Sequence, residues 1–347
     1  MRLPGTSPYL HGSHEPPPPG VMRDGWILFI QQVGHGSDPH RGVDFGEWEA
    51  QGYGIICRIQ HEWAPGGTLP KPEHLDGFVE RVRTLAQNSQ FCHRWIIGNE
   101  TGNLVEWPRG WALLPEYVAR CYNRCWTAIH DLPGHELDEV IPPPVGPWNV
   151  DTGIGWIEYF QQMLTACEFV DAIALHTYTH GFDPALITSE QTMNPPYQDR
   201  HYHFRAYRDF MHAIPAEYRD RPVYITETNQ NGPWLDERNG WIPAAHAEID
   251  GWNATPGNQN IRALLLYRWP RYDPYHIDGK ANVIADWKQA QAERYTWETV
   301  EPPVEPPECD CSERVDVLEV RVAQQQAQIA ELYDRLRLGA LGLEGEA

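Results

Sequence analysis

The 347-residue sequence contains no long hydrophobic run and has few basic residues relative to its acidic ones. A membrane-spanning helix needs roughly 18 or more consecutive apolar residues, and no stretch approaches that length. Lys and Arg total 27 against 48 Asp and Glu, which gives a formal charge of −21. Because phosphate binding requires clustered cations, we expect neither nucleic acid nor a membrane as partner, whereas such a charge does not repel a neutral glycan.

Motifs for cofactors and metals are also missing. The sequence has no Walker loop, no GxGxxG after a strand and no GxSxG elbow. Two histidine groups, around His11 and His14 and around His201 and His203, lack the HExxH spacing of a zinc enzyme. We therefore expect no cofactor and no metal site.

No export signal is visible near the N-terminus. Residues 1–20 are rich in Pro and Gly and lack the apolar core of a signal peptide. The location therefore stays open between the cytoplasm and an extracellular or virion-associated setting reached by a non-classical route.

Three zones follow one another along the chain. Residues 1–296 alternate short apolar runs with amphipathic ones and are predicted to form one barrel domain. Residues 297–308 include EPPVEPPE and are predicted to be a Pro-rich acidic linker, which is stiff and extended. Residues 309–347 are predicted to form a coiled-coil oligomerisation helix and a tail.

The last zone carries a heptad seam with alternating spacings of three and four residues: Val315, Leu318, Val322, Gln325, Ile329, Leu332 and Leu336. This pattern predicts self-association through residues 315–336 as a dimer or a trimer; a single helix packed on the barrel is the alternative. Cys309 and Cys311 precede the seam and would form interchain disulfides in an oxidising compartment. The other five of the seven cysteines fall in predicted strands and helices, where a reduced buried thiol is the default.

Eight short apolar runs in the first zone are predicted to be strands: Tyr9–His14, Trp26–Val33, Tyr53–His61, His93–Glu100, Val140–Trp148, Val170–Thr177, Pro222–Thr228 and Ile261–Trp269. Helical patterns lie between them, such as the apolar stripe Leu75, Phe78, Val79, Val82 and Leu85. Alternating strands and helices predict a parallel sheet with covered faces. The predicted fold class is therefore α/β: a (β/α)₈ TIM barrel with a C-terminal coiled-coil helix.

Polar and aromatic residues mark the predicted strand ends, where the active site of such a barrel lies. They are Arg58 and His61 on the third strand, Asn99 and Glu100 on the fourth, Trp148 on the fifth, His176 and Tyr178 on the sixth, Glu227 on the seventh and Trp269 on the eighth. A charged or polar group at the end of an apolar strand is costly to bury. The pattern therefore indicates a functional site.

Glu100 and Glu227 match the carboxyl pair that glycoside cleavage requires. One carboxyl group must protonate the leaving oxygen while the other, ionised, attacks the anomeric carbon. Strands four and seven face one another across an eight-stranded barrel, and a nearby Arg58 would keep Glu227 ionised. The remaining strand-end residues are predicted to bind substrate: Asn99, Arg58, His176, Tyr178, Trp269, Trp148 and His61.

In these positions the sequence resembles the clan of retaining (β/α)₈ glycoside hydrolases, the cellulase-like glycosyl hydrolases. Members of that clan have Asn-Glu at the end of strand four, His-x-Tyr on strand six, Glu on strand seven and an aromatic residue on strand eight. The resemblance implies that Glu100 is the acid/base and Glu227 the nucleophile. Thr101 departs from the pattern, because many members have Pro after the acid/base.

The sequence thus predicts a retaining glycoside hydrolase that cleaves a β-linked oligo- or polysaccharide by double displacement. The alternative is a glycan-binding or adhesive head of a multimeric surface or virion assembly, with little or no turnover. In that setting the coiled coil would multiply weak contacts into avidity.

Overall fold

The computed structural model describes residues 3–298. The apolar runs of the sequence form eight strands: β1 (His11–His14), β2 (Trp26–Gln32), β3 (Gly54–Gln60), β4 (Arg94–Ile97), β5 (Glu139–Ile141), β6 (Ile173–Tyr178), β7 (Val223–Asn229) and β8 (Ile261–Leu266). Each lies within or overlaps one of the eight predicted strands. Nearly every residue of these strands is buried, as a parallel sheet covered on both faces requires.

Seven α-helices alternate with the strands among the described residues: α1 (Gly46–Glu49), α2 (Leu75–Asn88), α3 (Pro115–His130), α4 (Trp156–Ala166), α5 (Ala206–Ala213), α6 (Trp241–Asn253) and α7 (Ala281–Ala292). The predicted stripe of α2 is buried along its whole length, from Leu75 to Leu85. None of the helices in this part of the chain is long and apolar enough to span a membrane.

The strands form one parallel sheet in the order β5-β4-β3-β2-β1-β8-β7-β6. This order curls the sheet into a nearly closed barrel and confirms the predicted (β/α)₈ fold. The edges at β5 and β6 are not hydrogen-bonded to each other. β5 ends where Pro142, Pro143 and Pro144 begin, and proline cannot donate to a strand ladder.

Side chains on alternate positions fill the barrel interior. Trp26, Leu28, Ile56, Tyr224 and Leu265 belong to one buried cluster made only of strand residues or their close neighbours. The intervening strand residues pack against the helices in a second, larger cluster. The interior positions continue along the strands toward their carboxyl ends, and this alternation determines which side chains reach that end of the barrel.

The described residues include five of the seven cysteines, but they do not include the predicted coiled coil. Five cysteines are free and buried, as predicted: Cys57, Cys92, Cys121, Cys125 and Cys167. The predicted linker from residue 299 onward, the coiled coil and the pair Cys309 and Cys311 lie outside the described residues, so these remain predictions.

Candidate active site

A cleft of about 530 Å³ opens at the carboxyl ends of the strands. Side chains from β3, β6 and β7 and from the loops after β3, β4, β5, β6 and β8 line it: Arg58, Trp63, Asn99, Glu100, Asn103, Glu106, Trp148, Tyr178, His180, Glu227 and Tyr267. This is the end of the barrel where the sequence predicts the active site.

Glu100 lies three residues beyond the end of β4 and turns its carboxyl group into the cleft. The chain reaches it through Gly98, whose φ of +89° is a conformation that glycine adopts readily. The Glu100 Oε1 atom lies 2.8 Å from His176 Nδ1 and accepts a hydrogen bond of 3.2 Å from the Tyr178 hydroxyl. Asn103 donates to the other oxygen at 3.2 Å. The carboxyl group is therefore held from several sides.

Glu227 reaches the cleft because of a bulge in β7. Leu175 pairs with Ile225, but the next residue of β6, His176, pairs with Glu227, so Thr226 is the extra residue. A bulge of this kind changes which side chains point to a given face. Without it, the alternation that places Tyr224 in the interior would place Thr226 there and turn Glu227 outward.

The Glu227 carboxyl group is buried and compensated by positive charge. The Arg58 guanidinium forms an ion pair with its Oε1 atom. Burial alone would raise the pKa of Glu227, but His176 and Arg58 together hold that pKa well below its ordinary range. His14 adds a further contact, with its Nε2 atom 3.3 Å from Glu227 Oε1. Glu227 is therefore ionised at neutral pH.

The Tyr178 hydroxyl group joins the two carboxyl groups. It lies 3.2 Å from Glu100 Oε1 and 3.1 Å from Glu227 Oε2. An oxygen of each carboxyl group lies within 4.8 Å of one of the other. These nearest oxygens lie closer together than the roughly 6.5–9.5 Å that separates the carboxyl groups of inverting glycosidases, which favours the retaining arrangement of roughly 5–5.5 Å.

Asn99 forms hydrogen bonds with two side chains of the cleft, those of Arg58 and Glu106. The sequence pattern did not point to Glu106. The side-chain oxygen of Asn99 accepts a 2.7 Å hydrogen bond from Arg58, and its amide nitrogen donates to Glu106 Oε1 at 3.1 Å. Burial, together with the nearby Glu100 and Glu227 charges, raises the pKa of Glu106 to about 7 although Arg58 opposes the shift. The cleft thus holds a third carboxyl group, delivered by a short 3₁₀ turn at Leu104–Glu106.

Aromatic side chains form walls of the cleft on two sides. Trp148 packs against His180 with ring centroids 4.2 Å apart, and its indole N–H donates to the His201 carbonyl. Trp63 stands at the rim with 52% of its surface exposed. Such flat apolar faces suit the C–H faces of a sugar ring.

Three predicted substrate-binding residues do not line the cleft. One of them, His176, is fully buried behind it and contacts Glu100. β8 ends at Leu266, and Trp269 lies beyond a turn, where its indole packs near Trp287 of α7 with centroids 6.4 Å apart. Tyr267 takes the position at the cleft that the sequence assigned to Trp269. His61 is buried beside His35 and Phe78 instead of facing the cleft.

Two groups of the described residues have ligand atoms close enough to hold a metal ion. One consists of Glu100, His176 and Glu227 in the cleft, and the other of His35, His61 and Glu62. The carboxyl oxygens of the first group are engaged by Tyr178, by His176 and by the Arg58 ion pair. The second lies outside the cleft lining.

Comparison with known proteins supports the fold and leaves the sequence family open. No family model matches the chain, and no curated protein matches it. A glucosidase from Croceicoccus marinus superposes with a TM-score of 0.55 at 13% identity, covering 83% of this chain and 68% of that one. The two chains share a fold.

Two other solved glycoside hydrolases match with lower scores. An endo-β-1,3-glucanase from Amycolatopsis mediterranei has a TM-score of 0.46 and 13% identity over 81% of this chain and 99% of that chain. A modular endo-β-1,4-mannanase from Cellulomonas fimi has a TM-score of 0.47 and 15% identity over 72% of this chain and 56% of that chain. At these scores they carry no argument beyond that of the glucosidase.

Proposed function

We propose that this protein is a retaining glycoside hydrolase that cleaves a β-linked, neutral glycan. The observation that carries the proposal is the carboxyl pair Glu100 and Glu227, bridged by the Tyr178 hydroxyl at 3.2 and 3.1 Å. The short distance between their nearest oxygens favours the retaining arrangement over the wider one of an inverting enzyme, in which a water molecule attacks the sugar. The shared fold with a solved glucosidase is consistent with this chemistry.

The two carboxyl groups would act in succession. The ionised Glu227 attacks the anomeric carbon while Glu100 gives its proton to the departing glycosidic oxygen, and a glycosyl-enzyme ester forms. Water then attacks the anomeric carbon, Glu100 takes its proton, and Glu227 is released as the carboxylate. Arg58 supports the first step because it keeps Glu227 ionised and oriented.

Tyr178 and His176 would position the pair. The Tyr178 hydroxyl lies within hydrogen-bonding distance of both carboxyl groups and can donate its single proton to either one. Burial beside Glu100 and Glu227 holds its pKa well above the ordinary value, so the hydroxyl keeps that proton. As charge leaves Glu227 in the covalent intermediate, the same hydroxyl remains available to Glu100. Tyr178 is therefore a positioning residue in both steps.

The charge of the cleft restricts the substrate. Glu100, Glu106 and Glu227 face it together with one guanidinium, that of Arg58. An anionic sugar such as a uronic acid would meet the charge of Glu227 and of the ionised fraction of Glu106 at short range, against the single positive charge of Arg58. Neutral glucans, mannans and galactans meet no such barrier.

The test is hydrolysis of a panel of neutral and acidic β-glycans by the wild type, Glu100→Gln and Glu227→Gln. We expect cleavage of at least one neutral glycan, with proton NMR showing the β-anomer as the first product. Glu100→Gln should lose about 10²–10⁴-fold on the glycan, the usual contribution of a general acid. A dinitrophenyl glycoside has a leaving group that needs no proton, so Glu100→Gln should form the glycosyl-enzyme from it nearly as fast as the wild type does. Glu227→Gln should cleave neither the glycan nor the dinitrophenyl glycoside.

Three results would count against the proposal. An α-anomer as first product would exclude retention, and Glu227→Gln as active as the wild type would exclude its role as nucleophile. Glycan binding without cleavage of any panel member would favour the adhesive head instead.

A further inference from the structure

A histidine cluster lies at the rim of the barrel, outside the cleft lining. His35 belongs to the loop after β2, His61 and Glu62 follow β3, and His74 precedes α2. The His35 Nδ1 atom lies 2.7 Å from His61 Nε2, and the imidazole of His74 stacks on that of His35 with centroids 3.8 Å apart. Three imidazole rings and a carboxylate thus converge from three separate segments.

His61 is held in the form that a metal ligand needs. Its Nδ1 atom lies 3.3 Å from the Gly66 carbonyl oxygen, which can only accept, so Nδ1 carries the proton and Nε2 carries the lone pair. Metal-binding histidines are typically fixed in this way, by a hydrogen bond from the second ring nitrogen to a carbonyl or carboxylate.

Glu62 completes a set of three converging donors. Its Oε1 atom lies 3.9 Å from His61 Nε2, and the three donor atoms of His35, His61 and Glu62 all lie within 4.8 Å of one another. Glu62 is 41% exposed, which gives an ion a path from solvent.

Two glycines allow this convergence. A side chain at Gly66 would have its Cβ atom 2.0 Å from Glu62 Oε2, and one at Gly77 of α2 would lie 2.3 Å from the His35 carbonyl oxygen. The lack of a side chain at these positions lets the carboxylate and the His35 loop pack where they do.

We propose that His35, His61 and Glu62 bind a divalent transition metal, with zinc as the best match. Two imidazole nitrogens and one carboxylate oxygen are a known zinc donor set, completed by water. Two nitrogens on one tetrahedral zinc lie about 3.3 Å apart, so the His35 and His61 rings must separate by roughly half an ångström. The ion would tie the loops after β2 and β3 together beside Trp63. Its role is structural and does not depend on glycan cleavage.

The test measures zinc directly on the full chain, purified without a histidine tag. The protein is stripped with EDTA and dialysed against micromolar zinc, and the bound metal is quantified by mass spectrometry alongside the thermal midpoint. We expect one equivalent of zinc at this site and a higher Tm in its presence. His35→Gln and Glu62→Gln should each bind this zinc roughly 100-fold or more weakly, since losing even the hydrogen-bond partner of a ligand costs about 10–100-fold.

Three control variants separate this site from other zinc ligands. Glu227→Gln removes a donor of the cleft group, Cys309→Ser with Cys311→Ser removes the C-terminal thiols, and His212→Gln removes an exposed imidazole. The zinc lost in His35→Gln should still be present in all three. Wild-type protein with no bound zinc, or His35→Gln and Glu62→Gln with as much as the wild type, would overturn the proposal.

Discussion

At the scale of single residues, the cleft is organised around compensated carboxyl groups. Arg58 contacts both Glu227 and Asn99, and Asn99 in turn contacts Glu106. A substitution at one of these residues therefore alters the protonation of the carboxyl groups of Glu227 and Glu106, because these groups are buried together in a region of low dielectric constant.

Replacement of Arg58 by Met should strongly destabilise the protein. Removing one partner of a buried ion pair typically costs about 3–5 kcal/mol, because the other charge stays buried and uncompensated. The second change Glu227→Gln should therefore restore part of the loss. Urea unfolding followed by tryptophan fluorescence measures both effects. A double variant no more stable than Arg58→Met would show that Glu227 does not depend on Arg58.

The same ion pair gives the stability a defined pH dependence. The pKa of Glu227 is lowered in the folded protein, so its stabilising contribution is complete above the unfolded value of about 4.3. That contribution is lost as the pH falls below this value. The free energies of unfolding of the wild type and of Arg58→Met should accordingly become more similar as the pH falls into the acid range.

Replacement of Glu106 by Gln should have the opposite pH dependence. Its pKa of about 7 lies above the unfolded value, so ionisation of Glu106 destabilises the folded protein as the pH rises. Glu106→Gln should match the wild type near pH 4 and be more stable near pH 8, on the order of 1–3 kcal/mol. Urea unfolding at both pH values measures this, with the exposed Glu237→Gln as control. If the free energies of unfolding of Glu106→Gln and the wild type differed by the same amount at both pH values, the raised pKa of Glu106 would be contradicted.

At the scale of elements, the loops after the strands shape the site more than the strands themselves. Glu100 lies beyond β4, Trp148 well beyond β5, and Tyr267 just beyond β8. The loop after β5 carries Gly146 directly against the Glu100 carboxyl group. A Cβ atom at that position would lie 2.7 Å from Glu100 Cδ.

Replacement of Gly146 by Ala should reduce activity without unfolding the protein. The new methyl group would meet the side-chain ends of Glu100 and Asn149 and no backbone atom at short range, so Tm should change little. A catalytic group moved by about 1 Å can lose roughly 100-fold in rate, and we expect a fall in kcat of that order. Gly102→Ala is a matched control in the loop of Glu100, because its Cβ atom would meet its nearest neighbour at 3.8 Å. Equal activity of the two variants would exclude the proposed displacement.

At the scale of the whole molecule, the sequence predicts self-association through the C-terminal zone. The heptad seam at residues 315–336 predicts a dimer or a trimer, and three heptads are marginal unless several apolar positions contribute together. Val322→Lys with Ile329→Lys in the full chain should therefore give a monomer by light scattering. Gln324→Lys with Glu331→Lys, off the seam, should leave the oligomer intact. A wild-type monomer would contradict the predicted coiled coil.

The sequence by itself determined the barrel and most of the predicted cleft. Each of its eight apolar runs overlaps one of the eight strands, because strands buried on both faces need nearly continuous hydrophobic residues. Arg58, Asn99, Glu100, Tyr178 and Glu227 were named from their places at strand ends, and all five line the cleft. These properties follow from local sequence patterns, which can be recognised without knowing which residues contact one another in the folded chain.

Only the tertiary structure decided which side chains at the strand ends point toward the cleft and which point away from it. Glu227 faces inward because pairing with β6 forces a bulge, and Tyr267 replaces Trp269 because pairing with its neighbours ends β8 at Leu266. The approach of Glu106 to Asn99 and of His35 to His61 likewise depends on loops that meet only in the folded chain. Such contacts join residues remote along the chain or turned by irregular backbone, so neither periodicity nor spacing reports them.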